Sequence, residues 1–558
     1  MAGLPLAALI GLLLVFPLAS FLLVAFWPGL FGQGSGGFSL GAFRQALTGY
    51  AVQALGDSLV TGVATGALAV ATGLFLSWLT QRTTFAARRA IDVLVWLLLL
   101  APSYLLAIGW QMLLQRGGLL WQSGLDIGWL RDAFFGPVGV IVVLATKHFS
   151  FAYLAIAPSW RGIGGELEDA ARVHGMGTRR RAALISRLLL PALVAGFAVV
   201  FAESIGDFGV AATLGATANF PLATYAIYQA LYSNPLNFPL AAASSWLLIA
   251  LTAVAVLLQA RVNARAERYA VLTGRNRMAR RVRLEGGTRV LAWVGVSVLA
   301  MVSLGVPVLA TVATSFTKVL GNGLGAANLT LANYDEVLHA HSMITPFLYS
   351  GGLAVAAGTI AVVLSLALAS LLGRKGGLAR AIDLLLLGTM AMPGLVLAAG
   401  YIFAYNQSFA PLYGTSFLLG MAYVGGALPS ISRVLLGPVT QVNRNLHEAA
   451  RVHSVGGLGR LRHVTIPLLV LPLLYAWLLA ASGIMFELPA SELLYPPGQQ
   501  PLAVALIWHV QNFDFGLSTA LEVSAVFVVT GAVLLVRGLV LGLTPKGWRL
   551  AEAPSAGG

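Results

Sequence analysis

Twelve apolar runs, each long enough to cross a hydrocarbon core, decide what this chain can fold into. A helical span needs about 20 predominantly apolar residues. The runs cover approximately 4–27, 57–80, 91–113, 136–158, 188–210, 239–260, 290–315, 347–373, 382–404, 415–437, 467–486 and 519–543. They are continuous rather than alternating, which argues for helices and against a transmembrane barrel of short alternating strands. Only 10% of the 558 residues are charged, where a soluble chain carries about a quarter. The expected fold is an all-α integral membrane protein of about twelve transmembrane helices. The first run begins almost at Met1 without a basic leader or an A-x-A-like cleavage site, so it is expected to stay as an anchor. The chain has no cysteine, which excludes disulfides, thiol catalysis and cysteine metal sites.

A net charge of +14 could suggest nucleic acid, but the placement of the charges argues otherwise. With the N-terminus in the cytoplasm, 29 of the 34 Lys and Arg residues fall on inside segments. Only Arg44, Arg116, Arg131 and Lys318 fall outside, and Lys147 lies within a span. That bias predicts a multi-pass membrane protein with both termini cytoplasmic, its partner a lipid bilayer rather than nucleic acid.

The two halves repeat in parallel. Ser58 and Arg82 match Ser350 and Arg374 at an offset of 292, and Pro102, Gly109 and Trp110 match Pro393, Gly400 and Tyr401 at 291. Further on, Asp169-Ala170-Ala171-Arg172-Val173-His174-Gly175 matches Glu448-Ala449-Ala450-Arg451-Val452-His453-Ser454 at 279. Asp207 pairs with Glu487, and Leu222-Ala223 with Leu502-Ala503, at 280. The shift implies a longer outer loop in the first half, around Trp121 to Asp132. Each half reads as one leading helix plus a five-helix core. The segments expected are 1–56 (leading helix and periplasmic loop), 57–260 (first core), 261–289 (Arg-rich cytoplasmic linker), 290–346 (second leading helix and loop), 347–545 (second core) and 546–558 (cytoplasmic tail).

The repeated D/E-A-A-R-V-H-G/S element lies in a predicted cytoplasmic loop between the third and fourth spans of each core. It resembles the EAA loop of permeases of ATP-binding cassette (ABC) importers. The second copy has Glu448, Ala449 and Ala450, followed by Ile466-Pro467, but Ser454 stands where the family has glycine. The first copy keeps Gly175 but has Asp169 for glutamate, and Leu188 holds the expected proline position, with Pro191 later. Two alanines favour a short helix with a small, flat surface, and Gly175 lets the chain turn where that helix ends. The bland alternative is a solvated amphipathic loop, and two copies in register weigh against it. The resemblance implies docking on an ATPase subunit through Asp169, Ala170, Ala171, Gly175, Glu448, Ala449, Ala450 and Ser454. Each carboxylate is expected either to cap its helix or to pair with a basic residue of that partner. No G-x-x-x-x-G-K-[ST] phosphate loop occurs in the chain, so the resemblance implies that ATP is bound by two separate cytoplasmic ATPase copies. No catalytic residue, resident metal or cofactor is expected in this chain.

Charged groups at membrane depth are costly and often mark a pathway. Glu203 and Asp207 lie four apart on one helical face, Glu487 and Glu492 occupy the matching region, and Lys147 and His148 sit in the fourth span. Glu203, Asp207, Glu487 and Lys147 are candidate pathway residues; equally, Asp207 and Glu487 could end their spans by capping backbone. Tyr225, Tyr228 and Trp508 are candidate outer-gate residues, with Tyr232 and His509 beside them, against the default of an interfacial aromatic belt. The stretch Phe486-Glu487-Leu488-Pro489-Ala490 to Pro497 resembles ferric-iron importer permeases, with Tyr495 replacing the family arginine. That implies a periplasmic binding protein delivering Fe(III), with thiamine, phosphonate or polyamine as alternative cargo. An ion-gradient-driven secondary transporter is the competing class. The loop Arg82 to Arg89 lacks the Asp and Gly of its usual signature.

Overall fold

In the computed structural model the described residues are 3–30, 36–125, 127–266, 281–374 and 376–543. The expected tail 546–558, Lys375 and residues 267–280 of the Arg-rich linker lie outside them. Among the described residues ten helices are long and apolar enough to cross a membrane, and two bent helix pairs raise the number to twelve. Each expected run falls on one of these. The chain is an all-α integral membrane protein, and its two-residue strands Asn406–Gln407 and Ala410–Pro411 form one small antiparallel pair.

The third and ninth runs are not straight. Arg88–Leu100 and Ser103–Gln122 meet at 99°, and Gly377–Met390 and Gly394–Tyr405 meet at 110°. The matched prolines explain both breaks. Pro102 has no N–H to continue the ladder, and Ala101 before it is extended at ψ 128°.

Proline also shapes three other helices. Gly11–Val15, Met301–Gly305 and Leu461–Thr465 are π-helical, and each ends two residues before a proline: Pro17, Pro307 and Pro467. A proline ring clashes with the carbonyl four residues back, and a widened turn relieves the clash. Before Pro17, tyrosines supply donors in place of the missing N–H. Tyr401 donates to Leu13 O at 2.8 Å and Tyr405 to Leu12 O at 2.7 Å.

The chain divides into two compact units. One comprises 22–329 with 391–393; the other comprises 1–21, 330–390 and 394–558. The first is built on Gly49–Arg82, which packs against Pro137–Gly162 and Thr178–Gly206. Glycines permit this closeness: a Cβ on Gly73 would lie 2.8 Å from Tyr153 N. In the second unit His341–Leu372 packs in the same way against Ser416–Gln441 and Ile466–Met485. The matched aspartates Asp92 and Asp383 are held differently, by Tyr153 OH at 2.7 Å in the first unit and by Arg433 at 2.7 Å in the second. The leading segments are exchanged: residues 1–21 pack with the second core, and the helix Val306–Ser315 packs with the first core against Ser103–Leu114.

Candidate functional site

Each copy of the repeated motif folds as a nine-residue helix, Gly165–Val173 and Arg444–Val452. Their C-terminal turns are the same. Gly175 N and Met176 N donate to Arg172 O and Ala171 O, both at 2.9 Å; Ser454 N and Val455 N donate to Arg451 O and Ala450 O, also at 2.9 Å. This paired closure needs a left-handed residue. Gly175 takes it at φ +68°, and Ser454, despite its Cβ, at φ +59°. The departure from glycine therefore leaves the turn unchanged and puts the strain on Ser454.

Asp169 and Glu448 sit mid-helix and exposed. Neither caps its helix: Asn443 accepts from Asn445 N at 3.0 Å in the second copy, and Gly164 has no side chain to cap the first. Ala170 and Ala449 are exposed, Ala171 is buried and Ala450 is half-buried. Each helix thus turns one small face inward and the other to solvent. Sequence reasoning passed over Val173 and Val452, which are 85% and 83% exposed at matched positions. The available signal was a β-branched apolar residue kept in both copies of a charged loop. After the first turn the chain runs unbroken through Pro191 as Thr178–Gly206, whereas Pro467 follows the π-helical segment in the second copy.

The polar groups of the first unit converge where Thr178–Gly206 ends. Asp207 Oδ1 accepts from Val210 N at 2.7 Å and from Ser103 Oγ at 3.0 Å, so it caps the turn that follows. Asp207 Oδ2 lies 3.9 Å from His148 Nε2, and His148 Nδ1 lies 3.3 Å from Ser204 Oγ. Lys147, buried beside them, donates to Leu98 O and to Leu99 O, and so occupies carbonyls left open at the broken helix. Glu203 is one turn from Asp207, exposed, and within electrostatic reach of Lys147. In the other unit Glu487 accepts from Ala490 N at 2.9 Å and Ser491 N at 3.0 Å. Lys147, Glu203 and Asp207 are therefore one cluster, and Glu487 belongs to a separate cap. Among the described residues no three His, Asp or Glu side chains gather as a metal site.

Short helices follow these caps, and each starts on a serine from the matched span. Ser58 Oγ accepts from Ala223 N and Ser350 Oγ from Leu502 N, both at 2.8 Å. On the first, Tyr225, Tyr228 and Tyr232 stack at 6.0 and 5.4 Å between centroids. Tyr50, Asn219, Tyr225 and Gln229 line an open cavity of about 400 Å³ there. On the second, Trp508 is exposed and meets the His509 ring edge-on at 4.9 Å.

Comparison with known proteins fits this architecture. The family described as binding-protein-dependent transport system inner membrane component matches residues 69–268. The probable ABC transporter permease protein y4fN of Sinorhizobium fredii is 26% identical over 435 residues, covering 75% of this chain and 74% of that protein. The molybdenum transport system permease protein ModB of Escherichia coli is 32% identical over 165 residues, covering 29% of this chain and 69% of its own. The Fe(3+)-transport system permease protein FbpB 2 of Haemophilus influenzae is 24% identical over 452 residues, covering 81% and 83%.

Proposed function

The chain belongs to the family of binding-protein-dependent transport system inner membrane components, and from that premise we propose that it is the permease (translocation channel) subunit of a bacterial ferric-iron importer. The observation that carries the reading is the pair of matched helices Gly165–Val173 and Arg444–Val452, one per core, with the same closing turn and the same exposed valine. One chain then offers two docking points to two copies of a cytoplasmic ABC ATPase, which bind the ATP. A flat alanine face with an apolar knob suits a groove on such a partner, and Asp169 and Glu448, free of capping duty, are available to its basic residues. A rigid helix gripped there converts ATPase closure into tilting of the spans.

Iron is favoured by extent. The resemblance to the ferric-iron permease extends over 81% of this chain, whereas that to the molybdenum permease extends over 29%. A periplasmic binding protein would deliver Fe(III) at the side of Tyr225, Tyr228 and Trp508. The path would pass the carboxylates Glu203, Asp207 and Glu487, hard oxygen ligands suited to a hard cation, with Lys147 holding the broken helix beside them. Both termini then face the cytoplasm. The test is uptake by proteoliposomes holding the chain, its ATPase and its binding protein. ATP-dependent accumulation of radiolabelled iron is expected, unaffected by excess molybdate or thiamine. Accumulation of molybdate or thiamine instead would reassign the cargo, and accumulation without any ATPase would remove the chain from this mechanism.

A further inference from the structure

We propose that Arg82 is a positioning residue that fixes the first ATPase-docking helix to the transmembrane bundle, and that among the described residues the second docking helix has no such joint, so that one motor stroke drives the two cores unequally. The inference rests on Gly165–Val173 and Arg444–Val452 being the docking helices.

Arg82 is the last residue of Gly49–Arg82, and it is only 6% exposed. Its Nη2 donates to Ile163 O at 3.0 Å, and its guanidinium lies 5.3 Å from the centroid of the Trp160 ring. Trp160 Nε1 in turn donates to Ser77 Oγ at 3.0 Å, back on the same helix as Arg82. A buried guanidinium is tolerated when a hydrogen bond and an aromatic face replace its water. Ile163 stands two residues before the docking helix, so that helix starts from a point pinned to the end of a span. The backbone of the same arginine is tied as well. Val282 N donates to Arg82 O at 2.8 Å and Thr84 N to Val282 O at 3.0 Å, while Phe85 packs on Trp293 at 4.9 Å. One joint therefore gathers a span, a docking helix and the end of the segment that links the two halves.

The matched positions of the second half lack the ring and the hydroxyl, and keep the arginine in a different setting. Ser77 becomes Ala369, Trp160 becomes Val439, Ile163 becomes Val442, and Arg82 becomes Arg374. Arg374 is exposed, beyond the end of His341–Leu372. A lever passes on displacement only through a stiff joint, and the first half has the joint.

The chain has no cysteine, so single nitroxide labels at Glu166→Cys and the matched Asn445→Cys report each docking helix in the full-length protein in nanodiscs. The label at 166 is expected to tumble more slowly than that at 445. Arg82→Gln should bring 166 to the mobility of 445 and leave 445 as it was. In the reconstituted complex Arg82→Gln should lower solute moved per ATP by about threefold or more, the range of coupling changes seen along such connections. ATPase association should persist, Arg82→Lys should restore part of the ratio, and Arg374→Gln should change nothing. Should Arg82→Gln fold poorly, Trp160→Leu removes the ring while leaving the bond to Ile163, and the same loss is expected. Equal mobility of the two wild-type labels, or an unchanged transport-to-ATP ratio, would overturn the proposal. Failure of the docking assignment shows itself separately, as ATPase binding that ignores substitutions at Val173 and Val452.

Discussion

Gly109 rests directly against the carbonyl of Pro307: a Cβ on Gly109 would lie 2.3 Å from that oxygen. The same relationship recurs between Gly400 and Pro17 at 2.5 Å. The leading segment of each half thus closes on the core of the other through a matched glycine and a matched proline. Backbone atoms, not a flexible side chain, occupy the space a methyl would need. Gly109→Ala and Gly400→Ala are each expected to destabilise the fold by about 1–3 kcal/mol, as overpacking does. Thermal unfolding in detergent measures it, with Gly351→Ala, where a Cβ meets nothing within 4 Å, as the unaffected control.

Ser454 holds a left-handed conformation that costs an L-residue roughly 1 kcal/mol. Ser454→Gly should therefore protect the amides of 453–455 against hydrogen exchange, and Gly175→Ser should expose those of 174–176 by a similar factor. If Ser454→Gly leaves exchange unchanged, the serine is not strained there.

Val173 and Val452 are apolar groups standing in solvent at equivalent points of two helices. A docking role means they are desolvated by the ATPase, at about 1.5 kcal/mol or more for each buried side chain. Val173→Asp and Val452→Asp should each weaken ATPase pull-down by about tenfold, with membrane insertion unaltered. Binding that survives the double variant would return the motif to the status of a solvated loop.

Much of this was legible in sequence because the bilayer imposes a length and an apolarity that the runs display directly. The two short helices Gly165–Val173 and Arg444–Val452 were legible because the motif occurs twice. What the sequence did not disclose are effects of partner and path. An apolar run with a proline reads equally as a kinked span or as a break, and the sequence does not give the 99° at which Arg88–Leu100 and Ser103–Gln122 meet at Pro102. The leading helices approach the cores most closely at Gly109 and Gly400, whose partners lie about 200 and 380 residues away in the chain. Arg82 looked like one more inside charge, since Trp160 and Ile163, which bury it, are distant in sequence.

Asp207 and Glu487 remain the residues where capping and transport make different demands, and one pair of substitutions separates them. Asn at 207 keeps an oxygen able to accept from Val210 N and Ser103 Oγ, and Asn caps about as well as Asp. Gln at 487 likewise keeps an acceptor for Ala490 N. The double variant Asp207→Asn with Glu487→Gln therefore removes two charges while the turns retain their caps, and stability should fall by no more than about 1 kcal/mol. If the carboxylates lie on the path of a cation, uptake drops about tenfold or more at unchanged ATPase binding, because the desolvated ion loses the opposite charge that offsets its hydration. Uptake that stays at the wild-type rate would leave both residues as caps alone, and the path of the ion would have to run elsewhere in the two cores.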